Sequence, residues 1–291
     1  MANSSADIPF ETRDMREGAH YIKIGKALYP CSTAPNPSSL PPDQEVITVL
    51  SKQMGRTVLE HDSSYVSKSG HGVRQAEPEA MRMVYKYTSV PVPEVLFTQF
   101  GPDDGRIWMA LVRGVSLEKR WNTLDEQSKK SVCLQVWNMI SQIRAIPRPP
   151  ELDGLFQCAA DGSLTKDPLL EDLGDPARPL TSDTDLRTRI FERYLHFGGR
   201  QYKHQLPDML PRSDCSVFTH GDIAPRNIMI DERNNITGIL DWEYAGWYPD
   251  YWEYAQILRP AFWSDWSAWM DLTAPQRWDL SGINAARKVL F

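Results

Sequence analysis

The sequence predicts an α+β chain in two lobes: a small β-rich lobe over residues 43–112 and a larger, mainly helical lobe over 113–291, after an irregular arm over 1–42. Three observations carry this prediction. Short strand-like apolar runs gather before residue 112, and the long helical periodicity falls after it. Arg113-Gly114 interrupts the pattern where a hinge between lobes would lie. A chain of 291 residues, 41% hydrophobic and 24% charged, has globular composition and the length two lobes need.

Taken in order, residues 1–20 are polar without a clear period, and 29–43 are rich in Pro and Ser, an irregular lead-in. Residues 44–54 place Val46, Leu50 and Met54 on one face and predict a short helix. Residues 56–60 and 64–69 are the strands of a hairpin. Residues 78–87 predict a helix with Pro78 in its first turn and Ala80, Met83, Val84 and Tyr87 on one face. Strands follow at 95–100 and 107–112. The second lobe opens with a helix over 124–146, with Thr123 and Glu126 as its capping box and Val132, Val136, Trp137, Ile140 and Ile143 as its buried stripe. Residues 161–183, polar and dotted with Gly and Pro, predict a surface excursion, and 186–202 a helix leading back to the most informative segment.

Composition removes several function classes. Apolar runs such as Ile107-Trp108-Met109-Ala110-Leu111-Val112 are too short to span a membrane, and residues 1–9 lack a basic-then-apolar leader pattern. Cys31, Cys133, Cys158 and Cys215 have no pairing or zinc-ligand rhythm, which predicts reduced thiols and a cytoplasmic protein. A net charge of −6 disfavours a nucleic-acid partner and is explained by solubility alone. A monomer or weak dimer is expected.

The chemistry concentrates in Phe218-Thr219-His220-Gly221-Asp222-Ile223-Ala224-Pro225-Arg226-Asn227-Ile228 and Gly238-Ile239-Leu240-Asp241-Trp242-Glu243. His-x-Asp, an Asn five residues after that Asp, and a second Asp closing an apolar run are what a phosphoryl-transfer centre needs. The transferred group spreads its charge over equatorial oxygens, so a protein positions groups and holds metal. Asp222 would accept the proton of an acceptor hydroxyl, while Asn227 and Asp241 would offer oxygen ligands to Mg²⁺. A strand over 216–218, a hairpin over 227–240 and its tight turn at 231–235 would bring the three side chains to one lip.

At these residues the chain resembles the aminoglycoside phosphotransferase and choline kinase group of small-molecule kinases. The continuation Ala245-Gly246-Trp247-Tyr248-Pro249-Asp250-Tyr251-Trp252-Glu253-Tyr254-Ala255 is similar to the branch abundant in filamentous fungi. Thr88-Ser89-Val90-Pro91-Val92-Pro93 and Leu124-Asp125-Glu126-Gln127 extend the resemblance over roughly residues 40–270. It implies a protein-kinase-like fold and ATP-dependent phosphorylation of a hydroxyl on a small molecule, with ATP and Mg²⁺ as cofactors. It further implies Lys68 as the lysine on the α/β-phosphates, paired with Glu79 in preference to Glu77, and backbone groups at Ala110 and Val112 against adenine. His220 then supports the catalytic loop by hydrogen bonding. The family's motifs do not name an acceptor.

Three departures keep a nucleotide-binding regulatory module of the same fold as the alternative. Around Gly55 and His61-Asp62-Ser63-Ser64 the glycines of a phosphate loop are not repeated; Ser67 is polar where the family favours an apolar residue; and Ala110 stands where an acidic residue is usual. A protein kinase is a third reading, opposed by the run from Asp241 straight into Gly246-Trp247-Tyr248-Pro249-Asp250 with no Ala-Pro-Glu. Seven of the ten tryptophans follow position 241; Trp263, Trp266 and Met270 at helical spacing predict core, and an aromatic wall for the acceptor is the functional alternative.

Overall fold

The computed structural model describes residues 15–260 and 264–290, which form two compact units. One comprises residues up to 75 together with 94–111; the other comprises 76–93 and everything from 112.

The first unit is a seven-stranded antiparallel sheet built from β1 (His20–Ile24), β2 (Ala27–Cys31), β3 (Gln44–Gln53), β4 (Arg56–His61), β5 (Tyr65–Gly70), β6 (Val95–Phe100) and β7 (Gly105–Ala110), in the order β2-β1-β3-β4-β5-β7-β6. Residues 44–54, expected as a helix, are strand β3. The four-residue spacing of Val46, Leu50 and Met54 was misleading, since Val46, Ile47 and Val49 are the buried positions and Leu50 and Met54 are exposed. The run Val46-Ile47-Thr48-Val49 is β-branched throughout, which favours the pleat. Residues 15–31, expected as arm and irregular lead-in, are also part of the sheet unit. Met15, Tyr21, Ile47 and Val49 form a core cluster, and the Gly18 N–H donates to the Val49 carbonyl at 2.8 Å. The rest of the expected arm, residues 1–14, lies outside the described residues.

A polar network ties four strands together, with His61 and Ser67 as its buried members. Glu45 of β3 accepts from His61 Nδ1 (2.9 Å), Tyr65 Oη (2.7 Å) and Lys23 Nζ (2.8 Å), and His61 Nε2 lies 2.7 Å from Ser67 Oγ. The His61 bond, chiefly, pulls the Glu45 pKa down to about 2. Ser67, polar on a strand otherwise expected to be apolar, is therefore a partner of buried His61, and a valine there would strand an imidazole nitrogen.

The second unit comprises α1 (Ala76–Tyr87), β8 (Val115–Ser116), α2 (Leu117–Arg120), α3 (Glu126–Arg144), β9 (Cys158–Ala159), α4 (Asp183–His196), α5 (Leu206–Met209), β10 (Ser216–Thr219), β11 (Ile228–Ile230), β12 (Ile236–Ile239), β13 (Gly246–Pro249), α6 (Trp252–Ile257), α7 (Trp266–Thr273) and α8 (Ser281–Arg287). Two small sheets, β10-β13-β9 and β12-β11-β8, carry the loops of interest. On α1, Ala80, Met83 and Val84 are buried as expected, whereas Tyr87 is exposed and Met81 takes the fourth core position. Helix α3 buries the expected stripe, Val132, Val136, Trp137, Ile140 and Ile143, but its cap is Asp125, which accepts from the Ser128 N–H at 2.8 Å. Thr123 instead donates to the Arg120 carbonyl. Helix α4 stops at His196, well before residue 202.

The segment 161–183 is not a loose excursion. Leu169, Leu170 and Leu180 are core residues. From α4, Arg193 donates to the Pro168 and Glu171 carbonyls (2.6 and 2.7 Å) and Arg189 to those of Leu170 and Arg178 (3.0 and 2.8 Å). Two buried guanidiniums thus supply the hydrogen bonds that this irregular backbone cannot make with itself. Trp242, Trp247, Trp252, Trp266 and Met270 are core, while Trp269 and Trp278 are partly exposed and Trp263 lies outside the described residues. Among the described residues no helix is long and apolar enough to cross a membrane, and all four cysteines are free thiols.

Candidate active site

In the second unit, β10 delivers the chain into His220-Gly221-Asp222, a turn of 3-10 helix (Pro225–Asn227) follows, and the β11–β12 hairpin returns it to Asp241. Gly221 has φ +82°, and a Cβ there would sit 3.0 Å from the Tyr244 carbonyl oxygen, so a side chain would strain the backbone and crowd that carbonyl. The hairpin turn is held by Asp231, which accepts from the Arg233 and Asn235 N–H groups, each at 2.8 Å.

Asp222 and Asn227 are buried and in direct contact. Asn227 Nδ2 donates to the Asp222 carbonyl at 2.9 Å and to its Oδ2 at 3.0 Å, which leaves the Asn227 oxygen as a ligand atom. The Leu240 N–H donates to the Asn227 carbonyl at 2.8 Å, setting Asp241 beside the same turn. His220 joins these pieces. Its Nδ1 accepts from the Asp222 N–H at 3.1 Å, and its Nε2 lies 3.0 Å from the Leu240 carbonyl, which only accepts, so the proton resides on Nε2. Complete burial pushes the His220 pKa below its ordinary value, so the ring is neutral at pH 7 and works as a strut.

Glu253, on α6, received no role from its sequence position, yet it holds this loop from below. Its Oε2 accepts from the His220 N–H at 2.6 Å, and both its oxygens lie 3.3 Å from the Gly221 nitrogen. Burial pushes its pKa up to about 7, against the pull of those two N–H donors.

The Asp222 carboxylate also carries two cations. Arg226 donates to Oδ2 through Nη2, and Arg259 Nη2 donates to Oδ1 at 2.9 Å. Neither arginine was singled out from the sequence. Arg226 was hidden as the filler before Asn227, and Arg259 lies 37 positions from its partner.

The two candidate glutamates of α1 have different surroundings. Glu79 has a side chain 41% exposed and pairs with Arg82 at 3.6 Å. Glu77, about 200° away around the helix, is buried. Carboxylate oxygens of Glu77, Asp241 and Glu243 lie within 4.8 Å of one another. The buried Trp242 between the last two, its Nε1 donating to the Ile239 carbonyl at 2.8 Å, turns inward and leaves its neighbours on one side. Asp241 has φ +65°, a left-handed backbone uncommon outside glycine. Three converging carboxylates suit a hard divalent cation such as Mg²⁺, which takes oxygen ligands. The spacing Asp-x-Glu was the available signal for Glu243.

In the sheet unit, Lys68 is a buried residue at the centre of β5, opposite Val58 on β4 and Ile107 on β7. Ala110 ends β7, and its N–H donates to the Glu94 carbonyl at 2.9 Å, so that donor is already used. Val112 belongs to the second unit, its methyls packed where a Cβ on Gly238 would lie, 2.5 Å away. The turns of the sheet are tight: Gly55 at φ +81° joins β3 to β4, and Asp62 and Ser63 at φ +50° and +52° join β4 to β5.

An antiparallel sheet with a buried lysine on a central strand, together with a mainly helical unit carrying His-Gly-Asp, Asn and a strand-end Asp, defines the protein-kinase-like fold. The chain belongs to the phosphotransferase enzyme family, whose profile (APH) matches residues 51–280. No curated protein matches the sequence. Among solved structures, an aminoglycoside-3'-phosphotransferase of type VIII aligns at 17% identity and TM-score 0.54, covering 84% of this chain and 93% of the other. The streptomycin–ATP–APH(2'')-IIa ternary complex aligns at 13% identity and TM-score 0.50, and a putative fructosamine-3-kinase from Haemophilus somnus 129PT at 14% and 0.51; each pair covers 84% of this chain and 80% of the other. At these identities the likeness shows the fold.

Proposed function

We propose that the protein transfers the γ-phosphoryl group of ATP to a hydroxyl of a small molecule, with Asp222 accepting the hydroxyl proton. The observation that carries this is the locked constellation of Asp222, Asn227 and the Asp241 strand end, tied through neutral His220. Family membership and the ATP named in one structural neighbour support it. The acceptor oxygen bonds to the γ-phosphorus, the bond from that phosphorus to the bridging oxygen breaks, and its electron pair leaves on ADP. The hydroxyl proton passes to the Asp222 carboxylate, which Asn227 orients. Asp241 and Glu243, with Asn227 and Glu77, are the oxygen donors that would hold Mg²⁺. A cation there would offset phosphate charge. Lys68 is assigned to the α/β-phosphates, and main-chain groups at Ala110 and Val112 to adenine.

Asp222→Asn tests the reading. Its ADP release with acceptor present should fall about 10²–10⁴-fold, the range of a lost base or positioning group, with Mg-ATP affinity retained. A variant keeping more than about a tenth of wild-type kcat, checked for folding by its thermal melt, would refute the role.

A further inference from the structure

Resting on the phosphotransferase reading above, we propose that Gln256 is a positioning residue for the base. It fixes the end of α6 from which Arg259 reaches Asp222, and it ties that end to α8 and to the segment 161–183. Helix α6 touches the catalytic turn twice. Near its start Glu253 accepts from the His220 N–H at 2.6 Å, and two residues past its end Arg259 Nη2 donates to Asp222 Oδ1 at 2.9 Å. The first contact holds main chain. The second bears on the carboxylate that would take the proton, so the direction in which the chain leaves α6 sets the approach of that guanidinium.

Gln256 holds this exit in two ways. Its main-chain carbonyl accepts from the Arg259 N–H at 3.2 Å. Its buried side chain has Oε1 3.1 Å from Arg287 Nη2 and Nε2 2.6 Å from Asp167 Oδ2. Arg287 only donates, so the amide lies in one sense, oxygen to α8 and nitrogen to Asp167. Both partners are anchored themselves. Arg287 Nη1 donates to the Ala255 carbonyl at 2.8 Å, and Asp167 Oδ1 accepts from the Leu169 N–H at 2.8 Å. A Cβ on Gly282 would lie 2.5 Å from the Met209 carbonyl oxygen, a close backbone approach that fixes where α8, and with it Arg287, stands.

The amide therefore bridges two buried charged groups from different parts of the chain. A leucine of similar bulk would fill the space and leave Asp167 and Arg287 without their shared partner. Asp167 is also within electrostatic reach of Arg259, so the same carboxylate bears on the Gln256 side chain and on the guanidinium that follows it. A misplacement of about 1 Å at a reacting group costs on the order of a hundredfold in rate, so support of this kind acts on turnover. Nucleotide affinity should be spared.

The test is a double-substitution cycle on the full chain, Gln256→Leu against Arg259→Met. Its readout is ADP release from Mg-ATP, with a panel of hydroxylated acceptors and, separately, with water alone. Each single substitution should lower kcat about ten- to a hundred-fold, with KM for Mg-ATP changed by less than about twofold. The double variant should be no slower than the slower single, because Gln256 acts through Arg259. Additive losses overturn the proposal, as does a folded Gln256→Leu with kcat within about twofold of wild type. Arg287→Lys, which keeps a donor for Oε1, should recover part of what Arg287→Met loses; equal losses overturn the part given to α8. Should Gln256→Leu fail to fold, Gln256→Asn, one methylene too short to reach both partners, takes its place. Should neither acceptor nor water give measurable ADP, hydrogen exchange of the amides over 218–228 supplies the same cycle. Faster exchange there in each single variant, and no faster in the double, supports the proposal. Exchange unchanged from wild type, or raised evenly along the chain, overturns it. Calorimetry of Mg-ATP with the wild type tells the two readings apart: failure to bind nucleotide refutes the kinase reading, while the exchange cycle scores Gln256 independently.

Discussion

Replacing Glu253 with glutamine should remove a pH dependence from folding that the wild type carries. Burial raises this carboxyl from its ordinary 4.5 to about 7, so the folded chain holds the proton more tightly than the unfolded one. Stability from that proton is complete below pH 4.5 and is lost as pH rises through 7. The shift of about 2.5 pH units corresponds to about 3 kcal/mol, of which about 2 kcal/mol is lost between roughly pH 5.5 and 8. His220 works in the opposite direction: its pKa is depressed, so the folded chain resists protonating it and loses stability as pH falls below about 6.5. Because His220 is present in both proteins, the difference between wild type and Glu253→Gln isolates the glutamate. Glutamine retains one oxygen for the N–H groups of His220 and Gly221, which already share Oε2. Alanine would leave both N–H groups without that acceptor, at about 1–3 kcal/mol each. Urea denaturation at half-unit steps from pH 5.5 to 8 measures the slope. Parallel stability curves for wild type and Glu253→Gln would show that the proton is not held there, and the account of how α6 supports the loop would fail.

Two further substitutions address other parts of the site. Asp241→Ala should weaken Mg-ATP binding by at least about tenfold in calorimetry, since it deletes a formal charge from the three-carboxylate cluster; unchanged affinity would remove Asp241 from any metal site. Gly246→Ala should lower the melting temperature, because its Cβ would lie 2.3 Å from the Cys158 carbonyl oxygen and 2.8 Å from Ala159 Cα. Separating β13 from β9 to admit it should cost about 1–3 kcal/mol in a denaturation curve, and a wild-type midpoint would contradict the packing.

How much of this was readable from the chain depended on sequence distance. The turn from His220 to Asn227 and the strand end at Asp241 are compact in sequence, so spacing alone conveys their chemistry. Their supports are not compact. Glu253 lies 33 positions from His220, and nothing local distinguishes it from any helix glutamate. Arg259 pairs with Asp222 across 37 positions in the same way. Glu77 and Glu79 differ only by rotation about α1, which burial resolves and residue type does not. Strand β3 was obscured because Leu50 and Met54, apolar but exposed, imitate a helical stripe. Segment 161–183 is polar enough to resemble surface, and its buried leucines together with the side chains of Arg189 and Arg193 arriving from α4 show why it is held.

The left-handed backbone of Asp241 has a consequence for how this chain tolerates change. A non-glycine residue at φ +65° costs the folded state about 1 kcal/mol or more that glycine would not incur. Selection for stability alone therefore favours glycine at this position, and a carboxylate survives only under a competing demand. If Asp241 holds the cation of the proposed reaction, position 241 works as a gauge across descendants of this sequence: lineages released from that role would be free to drift towards glycine and become more stable, while those that keep it would carry the strain.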